Sequence, residues 1–151
     1  MKLITLLAML LIISSCSTNE NSDNAKNGTT VKPPIASALC FLLTEGNNNR
    51  DSTSIELVIK NNKVTGSMNW LPYQKDSRKG SLTGTINNNI IQANWSFMQE
   101  GIKDTLNLQF MLDSTRLLQK PLKANTQSGR QQTDALASYT LIYHTSDKIY
   151  N

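Results

Sequence analysis

Apolar and polar residues alternate with period two through residues 79–112, KGSLTGTINNNIIQANWSFMQEGIKDTLNLQFML. Leu82, Gly84 and Ile86 share one parity, and Ile91, Ala93, Trp95 and Phe97 share one in the next run. Leu106, Leu108, Phe110 and Leu112 do so in the third. Alternation of this kind marks a strand with one buried face. The breaks, Asn87-Asn88-Asn89 and Glu100-Gly101, are short and rich in turn residues, so neighbouring strands run antiparallel. Upstream, residues 52–60 place Ile55, Leu57 and Ile59 on one face. Asn61-Asn62 then suits a two-residue hairpin, because Asn tolerates positive φ. Val64, Gly66, Met68 and Trp70 continue on one face until Leu71-Pro72, where Pro cannot donate to a ladder.

The flanks extend the same picture. Residues 35–44, IASALCFLLT, are nearly all apolar, and the turn-rich Glu45-Gly46-Asn47-Asn48-Asn49 after them favours a strand. Residues 73–79 read as a polar loop, 115–119 as a short strand ended by Pro121, and 123–134 as a second polar loop. Residues 135–144, ALASYTLIYH, read as a last strand with Ala137, Tyr139, Leu141 and Tyr143 on one face. Gly66 and Gly84 sit mid-strand, where glycine marks a bend or a close backbone approach. About seven or eight strands with short turns, and no convincing amphipathic helix, predict an all-β domain. The expected architecture is an antiparallel meander closing into a small up-and-down barrel, of lipocalin or avidin type, or a curled sheet. A two-sheet β-sandwich is the alternative.

The N-terminus belongs to another story. Met1-Lys2 gives a positive start, and residues 3–13 are an almost unbroken apolar run of signal-peptide length. It ends in Ile13-Ser14-Ser15-Cys16, which closely resembles a bacterial lipobox. The resemblance implies cleavage after residue 15, with palmitate-type acyl chains on Cys16 as the membrane anchor. Several acyl chains on one residue anchor stably, where a single chain is marginal. Residues 17–34 are rich in Asn, Ser and Thr, with Val31 the one large apolar residue, and cannot bury enough surface to order themselves. They read as a tether, and Pro33-Pro34 marks the start of a domain over 35–151.

Charge and cysteines narrow the function classes. The 151-residue chain has a formal net charge of +4, with basic residues scattered rather than interleaved with aromatics. No nucleic-acid motif is present. If Cys16 carries lipid, Cys40 is the sole remaining thiol, so stability rests on the core rather than on a disulfide.

Several short motifs resemble those of small, uncharacterised exported lipoproteins of the Bacteroidota. They are Cys40-Phe41, Val64-Thr65-Gly66, the aromatic run from Trp70 to Tyr73, Lys75-Asp76, the pair Gly80 and Gly84, and Phe97-Met98-Gln99-Glu100-Gly101. The resemblance spans about residues 39–112 and fades beyond. It implies an exported β-rich domain and no assigned activity.

Candidate chemistry is sparse. Cys40 and His144 are the one thiol–base pairing on offer, and a Cys in an apolar run is more often an inert small hydrophobe. A lone histidine without clustered Cys or carboxylates predicts no metal site, and no cofactor is expected. Asp76, Glu100, Asp104 and Asp113 fall at turns, where acidic residues serve local hydrogen bonding. The expected ligand- or partner-contacting set is Trp70, Tyr73, Lys75, Asp76, Trp95, Phe97 and Glu100. Inside a small barrel the rings either fill the core or line a cavity.

The sequence therefore predicts a lipid-anchored cell-envelope protein, held at the outer membrane on its periplasmic or surface face. Its expected role is non-enzymatic binding of a small apolar ligand or an envelope protein. An inhibitor of lysozyme or a protease, inserting the 73–79 or 123–134 loop into an enzyme cleft, is the alternative; a hydrolase is least supported. Cys16→Ala should release the protein from membranes, and retention of the variant after carbonate washing would sink the anchor.

Overall fold

A computed structural model describes residues 38–147. The expected signal peptide, Cys16, the expected tether and the first and last residues of the expected domain lie outside the described residues. The described chain forms ten strands: β1 Leu39–Glu45, β2 Asp51–Lys60, β3 Lys63–Leu71, β4 Arg78–Asn87, β5 Ile90–Gln99, β6 Ile102–Asp113, β7 Arg116–Gln119, β8 Leu122–Ala124, β9 Gln131–Thr133 and β10 Leu141–Thr145. Eight of them close into an antiparallel barrel in the order β1-β10-β7-β6-β5-β4-β3-β2, while β8 and β9 form a separate hairpin. Closure rules out the sandwich.

The alternation sets which side chains face inward. Phe41, Leu57, Val64, Leu82, Ile91, Phe110 and Leu117 are buried in one continuous core. Trp95 is 3% exposed, and its indole N–H donates to the Met68 carbonyl at 3.0 Å. That bond satisfies the one polar atom the ring brings inside. Glycines make room for the curl. A Cβ on Gly66 would stand 1.8 Å from the Glu56 carbonyl oxygen, and one on Gly84 would stand 2.2 Å from that of Gln92. Only a residue without Cβ lets adjacent strands approach so closely.

The two ends differ. At one, two-residue turns join β2 to β3 and β4 to β5, with positive φ at Asn61, Asn62 and Asn88. Ser114 carries a positive φ in the turn from β6 to β7. The Ile86 N–H donates to Asn62 O at 2.9 Å, and the Leu112 N–H to Asn89 O at 2.8 Å, so each turn is tied to its neighbour. The opposite end carries the β1–β2 and β3–β4 loops, the Glu100-Gly101 turn and the long excursion from β7 to β10. This end is the mouth.

Two segments depart from the expectation. Residues 123–134, expected as a loop, contribute most of the β8–β9 hairpin. Its turn is made by Asn125, whose side-chain oxygen accepts from the N–H groups of Gln127 and Ser128 at 2.9 Å each. Residues 135–144, expected as a strand, are strand only from Leu141. Asp134 accepts from the Leu136 N–H, and its carbonyl accepts from the Ala137 N–H, which starts a turn instead. Tyr139 consequently leaves the core side: Gln109, on the outer face of β6, donates to its hydroxyl at 3.0 Å, and Lys120 Nζ lies 5.5 Å from its ring centroid.

The excursion completes the wall. β7 pairs with β6 only over residues 110–113, which leaves the upper half of β6 without a ladder partner on that side. The hairpin lies against it, and the Thr133 hydroxyl donates to the Asn107 carbonyl at 2.7 Å. Trp95→Ala should cost about 3–5 kcal/mol of stability, the usual range for deleting a large buried ring. Denaturant titration reads this, and a loss under about 1 kcal/mol would contradict the buried position.

Candidate ligand site at the barrel mouth

The core is solid at the turn end and opens at the mouth. A cavity of about 350 Å³ lies there, lined by Glu45, Thr53, Met68, Trp70, Arg78, Trp95, Gln119, Pro121, Leu122, Gln131, Leu141 and Tyr143. Nine of the ten strands, all but β6, and Pro121 between β7 and β8 supply these residues. Trp70 is the next-to-last residue of β3, Trp95 sits in mid β5, Tyr143 in mid β10, and Pro121 and Leu122 bring the excursion over the opening. The strand parity that buries Leu82 and Leu117 also turns Arg78 and Gln119 inward.

Polar groups in the lining are held in place. The Tyr143 hydroxyl donates to Gln119 Oε1 at 2.6 Å, with both residues buried. Burial, and then the Glu45 carboxylate, push the Tyr143 phenol far above its ordinary value. Arg78 is fixed from four sides. Its Nε donates to Gln99 Oε1 and its Nη1 to Gln131 Oε1, each at 2.7 Å. Its guanidinium stacks 5.1 Å from the ring centroids of both Trp70 and Phe97.

A smaller cleft of about 220 Å³ opens on the other side of Arg78, against Phe97, Asp104 and Arg130. Hydrogen bonds from its own Thr105 N–H and from Arg130 hold the Asp104 carboxyl below the usual carboxylate range.

Of the residues expected at the site, the fold brings Trp70 and Trp95 into the cavity wall. Phe97 packs beside Trp95 with ring centroids 4.4 Å apart and lines the smaller cleft. Tyr73, Lys75 and Asp76 stand on the exposed β3–β4 loop, away from this cavity. Asp51 accepts from the Tyr73 N–H at 2.7 Å, and Arg50 stacks 4.5 Å from the Tyr73 ring. Glu100 occupies the exposed β5–β6 turn with φ 49°. Gln119, Gln131, Glu45 and Tyr143 escape sequence reasoning as site residues, and Arg78, which the sequence places on the 73–79 loop as a partner contact, instead starts β4 and lines the cavity. For most of them a sign existed: each polar residue at a strand's mouth end keeps the inward phase of its apolar run, as Arg78 does with Gly80 and Leu82.

The other candidates do not converge. Cys40 faces outward and is half-buried, with its thiol pushed up by burial and by Glu56 and Asp147. His144 is exposed on β10, opposite Leu42 and Arg116 in register. Asp104 and Asp113 stand at opposite ends of β6, each paired with an arginine. Among the described residues no three of His, Cys, Asp or Glu gather as a metal site would require.

The barrel and its polar-topped cavity define a β-barrel with one open, side-chain-lined end. Comparisons with family models, curated proteins and solved structures found no match.

The raised Tyr143 phenol links the site to stability. A phenol that ionises near pH 10 when unfolded but higher when folded keeps its proton preferentially in the native state. Its contribution is fully present below about pH 10 and falls by about 1.4 kcal/mol per pH unit above that. Tyr143→Phe should flatten this alkaline decline relative to wild type in denaturant titrations between about pH 9 and 11.5. Parallel curves would refute it.

Proposed function

We propose that this chain is a lipid-anchored, non-enzymatic binding protein of the cell envelope whose barrel mouth holds a small, partly apolar molecule. The observation that carries the reading is the cavity of about 350 Å³ with Trp70 and Trp95 in its wall. Its volume falls in the range of roughly 300–1,000 Å³ typical of ligand pockets, at the low end. Its lining has the usual mixture of an apolar floor and a few fixed polar groups. The spread of carboxylates over both ends of the barrel supports binding rather than hydrolysis. The apolar leader and the Ile13-Ser14-Ser15-Cys16 sequence support the anchor, and the motifs resembling exported Bacteroidota lipoproteins support an outer-membrane location.

A second reading has its own observation. The β3–β4 loop protrudes yet is braced, with Tyr73 held by Asp51 and stacked under Arg50. A rigid loop of this kind suits insertion into the cleft of a lysozyme or protease.

The two tryptophans of the chain both line the cavity, so intrinsic fluorescence reports on it directly. With the full-length Cys16→Ala chain, N-phenyl-1-naphthylamine should quench tryptophan emission saturably, at one molecule per protein. Absence of saturable quenching would overturn the cavity reading and leave the braced loop as the functional element.

A further inference from the structure

The mouth holds a cation that joins no ion pair among the described residues. The ion pairs among the described residues join Arg116 to Asp113, Lys123 to Asp134 and Arg130 to Asp104, and none takes Arg78. Asp104 is near enough to feel the Arg78 charge, but its own hydrogen-bonded partner is Arg130. The hydrogen bonds from Arg78 Nε and Nη1 end on neutral amide oxygens, those of Gln99 and Gln131. These bonds use Nε and Nη1 and leave the Nη2 donors out of both.

Guanidinium carries five N–H donors in a rigid fork suited to oxyanions. Here the fork is fixed in orientation by two amides and lies against two aromatic rings, and Arg78 is half-buried. Taking a cation partly out of water costs free energy, and a bound anion recovers it. Neutral side-chain amides orient the group without neutralising it. Arg78 also lines the cavity whose apolar wall is Met68, Trp95, Leu122 and Leu141. Glu45 stands in the same lining and carries the opposite charge, which disfavours a second negative charge on the occupant.

We infer that the occupant of the mouth cavity is a small amphiphilic monoanion, with an oxyanion head on Arg78 and an apolar body against Trp95 and Leu141. This rests on the cavity being a ligand site. It adds the chemical class of the ligand and names Arg78 as the residue that selects it. A carboxylate and a sulfonate share the required chemistry.

Two probes with one ring system separate the two claims. N-phenyl-1-naphthylamine is neutral, and 8-anilinonaphthalene-1-sulfonate is the same framework carrying a sulfonate. Binding to the full-length Cys16→Ala chain is measured by tryptophan quenching and energy transfer. The anionic probe should bind about tenfold or more tightly than the neutral one, as a charge-assisted hydrogen bond provides. Arg78→Gln should bring the ratio of the two Kd values to about one, whatever it does to the absolute affinities. Arg78→Lys keeps a point charge but not the fork and should give an intermediate ratio. Glu45→Gln should raise the preference for the anion.

An unchanged ratio in Arg78→Gln would overturn the inference. So would saturable binding of the neutral probe with none of the anionic one, while the cavity reading would stand. Failure of both probes to bind would overturn both. Should Arg78→Gln lose its fold by circular dichroism, the Arg78→Lys and Glu45→Gln ratios decide, and wild-type ratios in both would overturn the inference.

Discussion

Everything in this molecule depends on a short seam. Among the described residues β10 joins β1 through the register pairs Phe41–Thr145 and Leu42–His144, extended by the Ser146 N–H donating to the Cys40 carbonyl, and joins β7 over residues 116–119. So few ladder bonds do not hold two edges together unaided; the side chains behind them do. Phe41, Leu117 and Tyr143 are buried beneath the seam, and the Tyr143–Gln119 hydrogen bond crosses it from inside. A hydroxyl bond of this kind is strong where water is excluded and costly to leave unmade. The barrel closes because its last strand brings an aromatic ring whose polar tip has one place to go.

The seam also explains why the mouth exists. β7 stops at Gln119, and Pro121 cannot extend it. The upper wall beside β6 is therefore built by the excursion, which carries few apolar side chains and is held by Thr133, Arg130 and Gln131 through polar contacts. Long strands and two-residue turns fill the interior at the other end. A wall of short strands and polar bridges leaves space instead, and inward-phased positions there become Thr53, Arg78 and Gln119 rather than Leu or Ile.

Much of this was legible in the chain because alternation reports burial directly. Trp70, Trp95 and Phe97 share phase with their apolar neighbours and do face inward. The Asn turns follow from the tolerance of Asn for positive φ. What escaped was whatever alternation does not carry. The β8–β9 hairpin, LKA against QQT, is too short for its one inward apolar residue, Leu122, to betray it and is stabilised by Asn125 and by the Lys123–Asp134 pair. Tyr139 matched the phase of Leu141 and Tyr143, yet the Asp134 turn displaced it to the outer wall. Tyr73, Lys75, Asp76 and Glu100 lie near the aromatic strands in sequence, but phase does not run through a loop. Arg78 carried the right phase but sat in a segment whose polarity resembled loop.

The contrast between the ends gives them different tolerances to insertion and deletion. At the turn end an added residue in Asn61-Asn62 would shift a nine-pair ladder by one position and turn its core face to solvent. At the mouth, lengthening the β1–β2 or β3–β4 loop changes no register, because each already spans several residues outside the ladders. Sequence drift therefore has a direction in this fold. The closed end is held to its length residue by residue, while the two long loops beside the cavity are free to be rewritten.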